Sequence, residues 1–284
     1  MLERHVATVR LPMITQLPVV VDLPMLEESL RYPLKVAAAQ VRLDDANGLL
    51  PGSELDHLKA DIVVFPEYFL NGRKVSDPKG LLELHDRNLN LLTGFSARRS
   101  GLVIAGSLVA LDGGRLRNRT YVLGGGRVLG HHDKINLTAG ELRSGFVPGE
   151  KLAVFQAGTF RFVVLICNDI LCGRTPFAHT PVFNAELFTT LKASRPDMIF
   201  IPLFSKRRPD DLTVGPLRDR VFGELARLSG AHVVKVGSVG QKSQHEAVGR
   251  SLIADANGNI VEHYADQYRP QTLVYRFDGP GARS

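Results

Sequence analysis

Apolar residues in this chain come in short continuous runs of strand length, separated by turn residues and by longer stretches with helical spacing. Residues 36–41, apolar except for Gln40, predict a first strand, and residues 62–65 are a continuous run of Ile, Val and Phe, the pattern of a strand covered on both faces. Between residues 81 and 98, Leu81, Leu84, Leu89, Leu92 and Phe95 fall mostly on one side of a 3.6-residue period and predict a helix. A strand is predicted over 102–108. Residues 119–123 and 127–129 form a predicted hairpin around Gly124-Gly125-Gly126.

The second half repeats the alternation. Strands are predicted over 162–166 and 198–203, with a helix over 182–193 between them. Residues 216–228 form a stronger helix, with Pro216 at its start, Leu217, Val221, Leu225 and Leu228 on one face, and Gly230 just past its end. Strands over 233–236, 251–254, 259–263 and 272–277 follow, the middle pair joined at Asn257-Gly258. Residues 1–33 lack clean periodicity and read as an N-terminal extension, a peripheral arm whose Val19-Val20-Val21 and Leu23 pack on the surface or on a partner. No linker or low-complexity break interrupts residues 34–284, so these form one predicted domain.

Composition narrows the classes. The chain has 284 residues, 44% of them hydrophobic and 23% charged, which suits a globular α/β protein with a sizeable core. No apolar run approaches the roughly 20 residues that span a bilayer, and no cleavage site follows the apolar stretch near residue 20, so a cytoplasmic protein is expected, without membrane contact. The net charge of +6 is mild. Its densest cluster, Lys206-Arg207-Arg208, is too short for a nucleic-acid tract and reads as a solvated loop or a cationic site entrance. Two cysteines, Cys167 and Cys172, are too few for a secreted disulfide framework. Adjacent His131 and His132 are badly spaced to chelate together, so no metal is expected.

Three stretches carry candidate chemistry. Each puts one reactive residue type just after an apolar run: Val63-Val64-Phe65-Pro66-Glu67, His132-Asp133-Lys134-Ile135-Asn136-Leu137, and Phe162 to Ile166 followed by Cys167-Asn168-Asp169. Singly, a glutamate after a strand is usually a solvated end, a loop lysine a surface charge, and a strand-end cysteine a small core residue. Together, a thiol, a carboxylate and an ammonium can attack a carbonyl carbon, move protons and steady an oxyanion. Glu67 and Cys167 also fall beyond the carboxyl ends of buried strands, where open α/β sheets build ligand crevices.

From about Lys35 to Tyr264 the chain resembles the nitrilase superfamily of carbon–nitrogen hydrolases. Lys35 to Gln40 looks like the family's first strand and Phe65-Pro66-Glu67 like its glutamate motif. Arg119 to Val122 and Gly126-Arg127-Val128-Leu129-Gly130 lead to Asp133-Lys134-Ile135-Asn136-Leu137, similar to the lysine motif. Gly140-Glu141 and Phe146-Val147-Pro148-Gly149 follow at family-like spacing. Cys167-Asn168-Asp169 resembles the nucleophile motif, and Gly249-Arg250-Ser251-Leu252-Ile253 with Asp255 and Gly258 the closing hairpin.

The resemblance implies a four-layer α-β-β-α sandwich, at least a homodimer, and a small-molecule amide or N-carbamoyl substrate. It implies Cys167 as nucleophile, Glu67 as base, and Lys134 with the Asn168 backbone N–H as oxyanion donors, and no cofactor, because covalent catalysis and fixed charges supply the chemistry. Glu141 would hold Lys134 or orient substrate. His131 and His132 are expected as site-wall or surface residues, and Cys172 as a structural thiol. The stretch after Cys167, Ile170-Leu171-Cys172-Gly173-Arg174-Thr175-Pro176, departs from the family pattern and would reshape the pocket, with specificity contacts expected in 173–181 and 205–216. The chain has no tryptophan, which nitrilases tend to carry after the cysteine, and this favours amide or carbamoyl hydrolysis. A nitrilase or acyl transferase with the same residues is the alternative within the enzymes, and a catalytically silent scaffold the alternative outside them.

Overall fold

The structure is a computed structural model that describes residues 18–28, 30–71, 78–170, 185–207, 211–242 and 245–279. In chain order the strands and helices are β1 (Val19–Asp22), β2 (Leu34–Gln40), β3 (Ile62–Val64), α1 (Pro78–Ala97), β4 (Leu102–Asp112), β5 (Arg115–Gly124), β6 (Arg127–Asp133) and α2 (Ala139–Arg143). They continue with β7 (Ala153–Ala157), β8 (Phe160–Val164), α3 (Ala185–Ser194), β9 (Met198–Leu203), α4 (Asp211–Ser229) and β10 (His232–Gly237). The last five are β11 (Gly240–Lys242), β12 (His245–Ala247), β13 (Leu252–Ala254), β14 (Ile260–His263) and β15 (Gln271–Phe277).

Two mixed sheets result. One runs β15-β2-β3-β4-β5-β6 and the other β1-β7-β8-β9-β10-β13-β14, with β11 and β12 as a separate ribbon. The alternation of side chains along a strand explains why the central runs are apolar throughout. Val36 and Ala38 of β2 point into the core between the sheets, where they join Phe162, Val164 and Phe200 of the second sheet. Ala37 and Ala39 point the other way, into a core capped by Leu92 and Phe95 of α1. On the far side, Val163, Leu165, Ile199 and Ile201 pack against Leu187 and Leu191 of α3 and Leu225 of α4. Three stacked cores separate four layers, α-β-β-α, as the sequence resemblance implied.

The expected elements recur with shifted ends. The strand expected over 162–166 starts at Phe160, and the hairpin arm expected over 119–123 begins four residues earlier. The helix expected over 182–193 is described from Ala185. Short elements that periodicity did not flag are α2, β7 and the β11–β12 ribbon. The segment expected as a peripheral arm packs on its own chain. Val19 to Asp22 pair in parallel with Ala153 to Gln156, and Leu23 is buried in the core between the sheets. No helix among the described residues is long and apolar enough to cross a membrane.

Candidate active site

Glu67, Lys134 and Cys167 all follow the carboxyl ends of strands, Glu67 after β3, Lys134 after β6 and Cys167 after β8. The first two belong to one sheet and the third to the other, so only the stacking of the sheets brings them together.

Each approach is shaped by local backbone. Glu67 bridges to Ser107 across an irregularity in β4, where Gly106 lies at φ 58°. A Cβ on Gly106 would stand 2.1 Å from the Pro66 carbonyl oxygen, so only glycine lets the glutamate turn lie this close to β4. Gly149 does the same for the lysine loop. Its N–H donates to the Lys134 carbonyl at 2.8 Å, and a Cβ there would sit 2.3 Å from the Asp133 carbonyl oxygen. Cys167 opens a short 3-10 turn, Cys167–Ile170, at φ 47°, and Tyr68 sits at φ 57°. L-residues rarely occupy that left-handed region, and such strain clusters at sites where a side chain must be aimed.

The polar centre is a ring. The Lys134 ammonium donates to Glu67 Oε1 at 2.9 Å and to Glu141 Oε1 at 3.0 Å. Asn118 Nδ2 donates to the same two oxygens, at 2.8 and 2.7 Å. The second oxygen of Glu67 accepts the Phe204 N–H at 3.0 Å, which fixes the carboxylate plane. The Cys167 thiol lies close enough to this ring for the charges of Glu67, Lys134 and Glu141 to act on it. Lys134 and Glu67 are 1% and 2% exposed, so these charges interact where water screens little.

Glu141 is held by more donors than any group nearby. Its Oε1 accepts from Lys134, Asn118 and the Tyr68 hydroxyl, the last at 3.0 Å. Its Oε2 accepts the Thr138 N–H and hydroxyl at 2.7 and 2.9 Å, closing a capping box at the start of α2. One side chain thus caps α2 and contacts Lys134 and Asn118 at the same time. Its lone pairs are used, which suits an electrostatic anchor rather than a proton shuttle.

The ionisation pattern follows from these contacts. Burial disfavours the Lys134 charge, but Glu67, Cys167 and Glu141 outweigh it and hold the ammonium above its ordinary 10.5. Burial also raises Glu141, yet Lys134, the Thr138 N–H and Asn118 hold its carboxyl below 4.5. Burial and the Glu67 charge push the Cys167 thiol well above 9.0 against the pull of Lys134. The residue itself is partly exposed and lies against the apolar cluster under α3 and α4. At neutral pH Cys167 is therefore a protonated thiol. Burial and the charges of Glu141 and Glu67 likewise keep the Tyr68 hydroxyl protonated, so it remains a donor.

Asp169 ties the two halves of the site. Its Oδ1 accepts the Ile135 and Asn136 N–H groups, both at 2.8 Å, and its Oδ2 accepts Ile166 N–H at 2.8 Å. His132 Nε2 lies 3.1 Å from Oδ2. The carboxylate thus locks the nucleophile turn to the lysine loop across the sheet-to-sheet seam. His132 departs from its expected place as site wall or surface. It is 1% exposed, underneath the site as a support for Asp169, because β6 turns it inward while His131 is exposed. Asn168 is the second residue of the 3-10 turn, where a backbone N–H has no acceptor inside the turn.

Sequence reasoning missed Asn118, Tyr68, Thr138 and Asp169 as working parts. The first had a signal, an amide on the inward face of a strand; the Thr138-x-x-Glu141 spacing was a second. Cys172 and the 173–181 stretch lie outside the described residues. Among the described residues no cluster of three or more His, Cys, Asp or Glu could hold a metal ion.

The carbon-nitrogen hydrolase family profile matches residues 36–283. The chain belongs to that family. Glutamine-dependent NAD(+) synthetase of Thermotoga maritima is 31% identical over 226 residues, which cover 77% of this chain and 36% of the synthetase. The enzyme of the same name from Acinetobacter baylyi is 24% identical over 243 residues, 84% of this chain and 41% of that one. This chain therefore spans well under half the length of the curated relatives it matches. Among solved structures, the glutamine-dependent NAD+ synthetase of Acinetobacter baumannii superposes with a TM-score of 0.71 at 22% identity, covering 86% of this chain and 45% of that one. An amidase from Nesterenkonia sp. superposes at 0.68 and 19% identity, covering 88% and 92%. At such identities the superpositions establish a shared nitrilase-type fold.

Proposed function

We propose that this carbon–nitrogen hydrolase cleaves a small carboxamide through a Cys167 thioester, with Glu67 as acid–base group and Lys134 as electrostatic catalyst. The observation that carries the reading is one buried ammonium held between two carboxylates, with the Cys167 thiol close enough to feel all three charges.

The steps follow from the contacts. As Sγ attacks the amide carbon, its proton passes to Glu67, which avoids forming a free thiolate whose pKa burial has raised. The carbonyl electron pair moves onto oxygen. Two of the three Lys134 N–H bonds are committed to Glu67 and Glu141, leaving the third for this oxyanion, with the Asn168 N–H as second donor. A single such donor is worth about 3 kcal/mol of barrier. When the intermediate collapses, Glu67 returns its proton to the leaving nitrogen and an amine or ammonia departs. Water then attacks the thioester with Glu67 taking its proton, and the acid leaves as the thiol is restored. Glu141 stays ionised and keeps Lys134 in place.

A primary amide is favoured over an N-carbamoyl group because the matched relatives are named as glutamine-dependent synthetases and amidases. Glutamine therefore belongs in the first substrate panel, beside short aliphatic amides, N-carbamoyl amino acids and nitriles. The test is ammonia release by the protein and by Cys167→Ala. Release from amides that vanishes in the variant is the expected result. Release that survives the substitution would sink the thioester route, and release from nitriles alone would move the substrate class.

A further inference from the structure

We propose that Asn118 is a positioning residue of this site, its amide nitrogen acting as the second, uncharged clamp that holds Glu67 and Glu141 on the one ammonium. This rests on the amide-hydrolase reading above.

The argument begins with charge. Two carboxylates facing one buried cation repel each other, and a single ammonium with rotatable donors does not fix where each oxygen lies. Asn118 Nδ2 carries two hydrogens on one planar nitrogen. One goes to Glu67 Oε1 and one to Glu141 Oε1, the same two atoms that Lys134 Nζ contacts. Two donors and two acceptors thereby alternate around a closed ring. A serine or threonine brings one donor and an aspartate brings none, so few side chains of this length can complete the ring.

The orientation of the amide is set by chemistry. Turning it over would place its oxygen against two carboxylate oxygens at less than 3 Å. In the observed orientation, Asn118 Oδ1 is buried with no hydrogen-bond partner among the described residues. A buried carbonyl left unpaired is unfavourable for folding, so the two carboxylate contacts of the amide nitrogen must outweigh that cost. The backbone adds to the case, because the Asn118 carbonyl accepts the Lys134 N–H at 2.9 Å. One residue of β5 thus sets both the lysine's chain path and the carboxylates its side chain meets.

The clamp has a chemical consequence. Drawing Glu67 Oε1 toward Asn118 and Lys134 leaves Oε2, which accepts the Phe204 N–H, as the lone-pair face for the proton in transit. Without the clamp the carboxylate can turn, and proton transfer from Cys167 loses its geometry.

The experiment uses Asn118→Ala, Asn118→Ser and Asn118→Asp in the full chain. It measures ammonia release and, independently of any substrate, the pH dependence of Cys167 alkylation by iodoacetamide, located by mass spectrometry. Loss of two hydrogen bonds to charged groups should lower kcat for Asn118→Ala by roughly 10- to 100-fold with KM little changed. Asn118→Ser, with one donor, should recover part of that loss. Asn118→Asp adds a third carboxylate to the ring that acts on the thiol and should move the alkylation profile to higher pH. Variants that fold and keep the wild-type kcat and alkylation profile would overturn the proposal. So would a loss of stability with both readouts unchanged per folded molecule, which marks a packing role. If the wild type hydrolyses no amide, the functional reading fails on its own, while the alkylation profiles still decide the role of Asn118.

Discussion

Two buried ion clusters in this molecule are mirror images in charge. At the site, one cation, Lys134, lies between two carboxylates, Glu67 and Glu141. Under α4, one carboxylate, Asp219, lies between two cations, Lys235 at 2.8 Å and Arg250 at 2.6 Å. Both lysines are almost fully buried, 1% exposed for Lys134 and 3% for Lys235. Burial disfavours both charges, yet the outcomes differ. Two anions and the nearby thiol hold Lys134 above 10.5, whereas burial leaves Lys235, sharing a single anion, below it. The number of opposite charges within reach, rather than depth, decides which buried lysine keeps its proton. The first cluster keeps a cation where the proposed reaction needs one. The second joins α4, β10 and the loop before β13.

The largest effect that would break this comparison is expected from Lys134→Met. It leaves two facing carboxylates without their cation and should cost about 3–5 kcal/mol of unfolding free energy, measured by urea denaturation, along with amide turnover. A stable Lys134→Met protein would mean that the carboxylates protonate and adapt, and that the ring is weaker than its geometry. Next comes Asp219→Asn, which weakens the hold on both cations of the other cluster. A loss of about 3 kcal/mol is expected, with turnover by the folded protein retained. Turnover falling as far as in Lys134→Met would move the Asp219 cluster into the catalytic machinery.

The smallest effect is the pH dependence of stability, and it distinguishes the lysines by sign. For Lys235 the native state binds fewer protons than the unfolded chain between its lowered native value and 10.5, so its burial cost is relieved as pH rises through that window. For Lys134 the native value is raised, so its contribution is full below 10.5 and falls as pH climbs above it. Urea midpoints from pH 8 to 11 for the wild type and Lys235→Met should therefore differ by a term that shrinks toward 10.5. Parallel midpoint curves would contradict the assignment of a suppressed charge to Lys235.

How much of this was legible in the sequence depended on the range of the interaction. Strands such as 198–203 were read to the residue, because burial on both faces demands an uninterrupted apolar run. The edge strand of residues 19–22 was read as an arm, since four residues with mostly exposed side chains carry no periodic signal and gain their partner only from β7. At the site, the stretch matched to the lysine motif began at Arg119, one residue past Asn118. A polar residue in a strand is unremarkable until the fold shows it buried between two glutamates. His132 was misplaced for the opposite reason, because adjacent histidines look alike in sequence and only the pleat of β6 separates buried from exposed.

The sequence by itself determined the identity and order of the reactive groups, the strand ends they follow, and the family to which the chain belongs. Those features are local or linear: hydrophobic period, turn residues and motif spacing. Only the tertiary structure decided that Lys134 is shared by two carboxylates, that Asp169 locks the nucleophile turn to the lysine loop, and that Lys134 and Lys235 differ in proton affinity. Each of these depends on which charges and donors lie within a few ångströms after two sheets have stacked, and electrostatic energies in a buried site are set by those distances.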